Sequence, residues 1–263
     1  VENKKMNFGV FYTCYTEVDA VDFSIKTLKD IYPDCPLYLV SDGGSDYSFL
    51  EKKYSNVKTT ISWDSRGISQ NLTKEKWDNP EKKQQVLKSI EEFFLRNKQA
   101  IDYCNTESIL IMEPDVLVRG KLKTFPDKKN ALLGTRVNKP DHEEFFKMCN
   151  IIKTIPNSVI PTHYGSTPAF YNVKAMENVI NFVSTNKEIV KKLIDTDWNF
   201  VCYDIFLTVL FAACGYDEVF NPDIIECIRN KNWLYTDHPL LHQFRKFYPE
   251  KNSGYNGRHA IDL

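Results

Sequence analysis

The 263 residues hold no CxxC pair, no excess of either charge, no G-x-G-x-x-G run, no internal repeat and no apolar stretch of membrane-spanning length. Each absence excludes a class of protein. With 34 basic and 35 acidic residues the formal net charge is -1, so the concentrated positive field that binds nucleic acid non-specifically is missing. The seven cysteines, at positions 14, 35, 104, 149, 202, 214 and 227, lack the paired spacing of a zinc ribbon. Their odd number, and their place inside apolar runs such as Asn199 to Tyr203, read as reduced core residues rather than a secreted disulfide framework. The most apolar segment, Ile205 to Cys214, is too short to span a bilayer. No secretory leader opens the chain. These features predict a soluble, cytoplasmic protein without a transmembrane segment. Val1 is not a natural initiator, so the chain is also read as a candidate fragment of a longer one, and the missing leader decides nothing.

What is present suffices for one substantial core: 42% of the residues are hydrophobic, with 17 Phe and 14 Tyr. Met6 to Thr13 reads as a buried first strand. Val18 to Ile31 follows at helical spacing and is ended by Pro33 and Pro36. Leu37 to Val40 is a second short buried strand, stopped by Ser41-Asp42-Gly43-Gly44, a strong turn signal. A short helix near Tyr47 to Tyr54, a weak strand at Val57 to Ile61, a polar loop from Ser62 to Asn79 and a long amphipathic helix from Glu81 to Tyr103 come next. Strands follow at Ser108 to Met112 and Ala131 to Val137, and a helix around Glu143 to Ile152. Thr162 to Tyr171 reads as a Gly-Ser loop leading into a helix over Val173 to Val183. Tyr203 to Cys214 is an apolar helix capped by Gly215, Val219 to Cys227 a late strand or edge segment, and the tail from Asp237 a short helix. Strand and helix alternating at this spacing predict parallel βαβ units in an α/β fold with a mostly parallel, Rossmann-type central sheet. No composition shift marks a boundary, so residues 1–263 are expected to form one domain, with a first half to about 118 and a second half from about 119.

The feature richest in chemistry is Glu113-Pro114-Asp115, delivered by the apolar strand Ile109 to Met112. Ligands of parallel α/β sheets bind outside the carboxyl ends of strands. Two carboxylates one residue apart at such an end, with Pro114 stiffening the turn, suit Mg²⁺ or Mn²⁺, which take few protein oxygens and leave positions for substrate phosphates. A solvated acidic turn is the plainer reading of the same tripeptide.

The N-terminal βαβ unit, this mid-chain acidic triplet and the later Gly-Ser segment before a helix together resemble the GT-A glycosyltransferases. That resemblance implies a single GT-A domain moving a sugar from a nucleoside-diphosphate donor, of UDP or GDP type, to a hydroxyl of a glycan, glycoprotein or lipid-linked acceptor. It implies that Glu113 and Asp115 hold Mn²⁺ or Mg²⁺, although Glu stands where the family's D-x-D has its first Asp. It places Thr13, Cys14 and Tyr15 against the nucleotide, with strand-end packing as the alternative. Asp42 is assigned to the base or ribose, and the following glycines to close backbone approach or to a plain turn. Arg66, in the polar loop, is assigned to the diphosphate or the base, against a lone surface arginine; Lys88 and Lys98 carry the same ambiguity. Gly165 and Ser166 are assigned beneath the transferred sugar, with His163 or Tyr164 near its hydroxyls.

Two assignments concern the second half. Asp204 begins a helix that is otherwise apolar, where the helix dipole favours an acid. In inverting members of the family an acid so placed deprotonates the acceptor hydroxyl, and Asp204 is the first choice for that base, ahead of Asp195 and Asp197 in the loop before it. His238 and His242, four residues apart on one expected helical face, are candidates to complete the metal shell, His242 first. Arg245 or Lys246 would then meet a phosphate oxygen. Ligation needs a neutral imidazole, so metal binding is expected to weaken in acid. Two rival readings are a sugar nucleotidyltransferase and a non-catalytic scaffold of the same fold that binds a glycan or a partner. The first is disfavoured because Thr13 to Glu17 contains neither Gly nor Lys.

Overall fold

The computed structural model describes residues 7–62, 79–136, 143–161, 165–196, 203–227 and 235–244. The first four strands are β1 (Phe8–Cys14), β2 (Leu37–Ser41), β3 (Val57–Ile61) and β4 (Ser108–Met112). Three more, β6 (Leu132–Arg136), β7 (Gly165–Asn172) and β8 (Glu218–Phe220), join them in a seven-stranded sheet of order β3-β2-β1-β4-β7-β6-β8. Four of its neighbour pairings are parallel, and the two that β7 makes with β4 and β6 are antiparallel. The mostly parallel α/β sheet expected from the sequence is therefore present. A smaller sheet, β5-β10-β9, consists of β5 (Leu117–Val118), β9 (Ile224–Glu226) and β10 (Leu240–His242).

Helices lie on both faces, and the strands show why. In β1, Phe8, Val10 and Tyr12 face one way, into a cluster with Val21, Ile25 and Leu28 of α1 (Val18–Ile31). Phe11 faces the other way, towards Ile90 and Phe94 of α3 (Pro80–Cys104). β2 and β4 divide alike, Leu39 and Leu110 from Tyr38 and Ile109. A strand with apolar residues on both faces must be covered on both. On the α3 side the cover is completed by α4 (Glu143–Ile152), α5 (Val173–Thr185), α6 (Lys187–Thr196) and α7 (Tyr203–Ala213). On the α1 side the small sheet contributes Val118, Ile224 and Leu240. The short α2 (Phe49–Lys53) links β2 to β3.

Local signals set the ends of α3. Asn79 caps it by accepting from the Glu81 backbone N–H at 2.9 Å, Pro80 occupies the first turn, and Asn105 takes the left-handed conformation at its end (φ 48°).

Three sequence-based expectations need correction. Gly165 to Asn172 is not a loop but β7, a central strand between β4 and β6. The tail after Asp237 is not a helix: Leu240 to His242 form β10, antiparallel to β5 and parallel to β9. Asp195 does not lie in a loop but in α6, exposed and bridged to Lys83 of α3 at 2.9 Å. The six described cysteines are free thiols. No helix among the described residues is long and apolar enough to cross a membrane.

Candidate active site

Parallel pairing brings several strand ends to one edge. The register sets Cys14 beside Ser41 and Tyr12 beside Met112, so Thr13 to Tyr15, Asp42 and Glu113 share the carboxyl edge of β1, β2 and β4. β7 runs antiparallel to β4, so its first residues, Gly165 and Ser166, begin at that same edge. The chain leaves α7 into β8, which runs parallel to β6. A helix that returns the chain to the start of such a strand begins near the opposite edge, and this brings Asp204, in the first turn of α7, to the carboxyl side.

The acidic triplet forms a β-turn: the Val116 N–H donates to the Glu113 carbonyl at 3.0 Å, with Pro114 at the position where its fixed φ is preorganised. Glu113 is partly exposed and Asp115 buried at 6%. The chain after the triplet is held from two sides. On α1, Ser24 donates to the Val116 carbonyl at 2.5 Å, and Thr27 accepts from the Val118 N–H at 3.1 Å. From the tail, the Phe244 N–H donates to the Asp115 carbonyl at 2.9 Å. Leu241 lies opposite Leu117, so His242, itself 4% exposed, falls between that pair and the Phe244–Asp115 bond.

His238 fares differently. It lies before the start of β10, where its carbonyl accepts from the Arg119 Nε at 2.7 Å. The expected shared helical face does not exist, and only His242 is brought beside the triplet.

The remaining candidates divide into those turned inward and those left open. The Cys14 thiol points to the Val40 carbonyl at 3.8 Å, and burial pushes its pKa up; it packs, while Thr13 and Tyr15 stay partly exposed. Asp42 is ion-paired with Arg96 of α3. Lys98 bridges to Asp102 on the same helix, and Lys88 is exposed. Arg66, His163, Tyr164, Asp197, Arg245 and Lys246 lie outside the described residues, as do the side chains of Ser166 and Asp204.

Two residues that the sequence reading passed over belong to this edge. Arg96 is 7% exposed, and its Nε and Nη2 have no hydrogen-bond partner among the described residues. Its signal was an arginine beside Asn97 on the buried stripe of an amphipathic helix, where Val86, Ile90, Phe94 and Ile101 set the face. Glu226 of β9 stands directly opposite His242. A three-residue strand has no periodicity to reveal such a pairing.

Among the described residues no group of three His, Cys, Asp or Glu side chains is gathered to hold a metal ion. Glu113 and Asp115 put two hard carboxylates on one turn, and together with His242 they do not make up such a group. Two carboxylates on one turn suit a hard ion that takes most of its ligands from substrate phosphates and water, and they do not amount to a closed protein cage.

No known family description and no curated protein matches the sequence. Solved structures do match the fold. The galactosyltransferase LgtC in complex with donor and acceptor sugar analogues is similar at a TM-score of 0.54 and 13% identity, over 89% of this chain and 86% of that one. An active-site mutant of LgtC is similar at 0.53 and 13% identity, with the same coverage. Similarity at 13% identity is similarity of fold, and the fold of this chain is the GT-A fold of the glycosyltransferases.

Proposed function

We propose that the protein is a divalent-metal-dependent glycosyltransferase that moves a sugar from a nucleoside-diphosphate donor, of UDP or GDP type, to a hydroxyl of a glycan, glycoprotein or lipid-linked acceptor. The observation that carries this reading is Asp115: a buried carboxylate in a proline turn at the carboxyl end of β4, its backbone carbonyl held by the segment that follows His242. The galactosyltransferase of the same fold was solved with donor and acceptor sugar analogues, and the proposal extends such ligands to this edge.

In this reading Asp115 and Glu113, with His242, hold Mn²⁺ or Mg²⁺, which supplies Lewis-acid stabilisation of the departing diphosphate. Thr13 and Tyr15 border the nucleotide from the end of β1. Arg96, partnered by Asp42 yet with two N–H-bearing atoms uncommitted among the described residues, offers donors to a phosphate or a sugar hydroxyl. The backbone at Gly165 and Ser166 borders the sugar. Asp204 takes the acceptor proton in an inverting displacement.

The primary test is a thermal-unfolding series with UDP, GDP and CMP, each with Mn²⁺ or with EDTA. A ligand that binds only the native state raises its midpoint, and a rise with one nucleotide that disappears in EDTA is the expected result. No rise with any nucleotide would move the reading to a non-catalytic scaffold. The base assignment has its own test. Asp204→Asn is expected to lower kcat about 10²- to 10⁴-fold, the usual contribution of a positioned base, while KM for the donor stays near wild type. The product of the wild-type reaction should carry the anomeric configuration opposite to the donor's by NMR. Retained configuration, or an unchanged kcat in the variant, would remove Asp204 from that role.

A further inference from the structure

β10 is three residues long and meets β5 through only two residue pairs, Leu240–Val118 and Leu241–Leu117. So short a ladder specifies its register weakly. A slip of one residue would turn every side chain of the strand to its other face, taking His242 away from the side it shares with Leu240. β9 holds the other side of the strand through three pairs, Leu240–Ile224, Leu241–Ile225 and His242–Glu226, and the residues before Leu240 have an attachment beyond both ladders.

Arg119, four residues after Asp115, makes that attachment. Its backbone N–H donates to the Pro239 carbonyl at 2.9 Å. Its Nε donates to the His238 carbonyl at 2.7 Å, and its Nη2 to the Thr236 carbonyl and, at 2.9 Å, to the Thr236 hydroxyl. The planar guanidinium thus reads the Thr236 and His238 carbonyls together, a geometry that one register satisfies and a slipped one does not. At the far end of the same segment, the Phe244 N–H reaches the Asp115 carbonyl. The segment is pinned at both ends, with His242 between.

We propose that Arg119 is a positioning residue: it locks the register of the 236–244 segment against β5 and so sets His242 beside Asp115. The inference rests on the reading of Asp115 and His242 as metal ligands.

The test uses the full chain with Arg119→Gln, Arg119→Lys, His242→Ala and the double variant Arg119→Gln/His242→Ala. Amide hydrogen exchange, without metal or nucleotide, reports the register directly. In Arg119→Gln the amides of Leu240 and Phe244 are expected to exchange about tenfold faster or more, while those of β1 and β4 keep their protection. The Mn²⁺ concentration that half-saturates UDP binding should rise about tenfold in Arg119→Gln, as for one lost charge-assisted hydrogen bond. It should rise less in Arg119→Lys, which keeps the charge without the fork. Added to His242→Ala, Arg119→Gln should raise it little further, because both act through one imidazole. Wild-type exchange rates in Arg119→Gln, or fully additive effects on metal affinity, would overturn the proposal. A wild type whose UDP affinity ignores Mn²⁺ overturns the ligand reading itself, and the positioning role with it, whatever the exchange rates are.

Discussion

Asp115→Asn is expected to abolish metal-dependent UDP binding and to lower sugar transfer at least about 10³-fold, while the protein stays folded. The loss follows from charge. The amide keeps the size of the carboxylate but presents one neutral oxygen to a hard cation, and Lewis-acid stabilisation of a leaving oxygen carries several kcal/mol, about 1.4 kcal/mol per factor of ten. The retained fold follows from which atoms hold the turn. The tail docks through the Phe244 N–H on the Asp115 backbone carbonyl, and the turn closes through the Val116 N–H on the Glu113 carbonyl. Neither bond uses the side chain that changes, so the unfolding midpoint should move by no more than a few degrees. Turnover by a folded Asp115→Asn protein at the wild-type rate would remove the centre of the proposed function.

Gly44→Ala is expected to be the most damaging single-methyl change at this edge, costing about 3 kcal/mol or more and lowering the melting temperature by roughly 10 °C. A Cβ on Gly44 would stand 2.0 Å from the Tyr15 carbonyl oxygen and 2.4 Å from its carbon. The obstacle is backbone, and it is anchored: that oxygen accepts from the Ser45 N–H at 2.8 Å and from the Tyr47 hydroxyl at 3.1 Å, while the Asp42 N–H reaches the Cys14 carbonyl at 2.9 Å. Relief of the clash must break the junction of β1 and β2 that carries Thr13 to Tyr15 and Asp42. The neighbouring glycine serves differently. Gly43 has φ 70°, so Gly43→Ala should cost only the left-handed conformation, about 1 to 2 kcal/mol. A Gly44→Ala midpoint within a degree or two of wild type, or the reverse order of the two variants, would show that the turn yields where the geometry says it cannot.

The pair of glycines marks the limit of sequence reading. Both a plain turn and close backbone approach were open from Ser41-Asp42-Gly43-Gly44. The tertiary structure assigns one reason to each glycine, and the close approach at Gly44 is to Tyr15 of the same chain. β7 was missed for a related reason. Gly165-Ser166-Thr167-Pro168 has the composition of a loop, and a proline argues against a central strand. Pairing with β4 and β6 overrides that preference, and the register irregularity of β6 between Leu133 and Thr135 falls opposite the stretch holding Pro168, where a ladder N–H is not required. The tail from Asp237 was read as a short helix with His238 and His242 on one face, and nothing in that local stretch reports a three-residue strand paired to a partner more than a hundred residues away.

What the sequence alone determined is the part governed by local periodicity. Doubly apolar strands required a sheet covered on both faces, alternating helices required mostly parallel pairing, and the strand before Glu113-Pro114-Asp115 required that triplet to emerge at a carboxyl end. The tertiary structure alone decided which distant groups meet there. It put His242 in a strand beside β5 and left His238 before that strand, turned Cys14 inward, raised Arg96 from the buried face of α3 to Asp42, and set Glu226 across from His242. The physical reason is that strand pairing and buried ion pairs join residues far apart in the chain, and neither leaves a repeating signature in the local sequence.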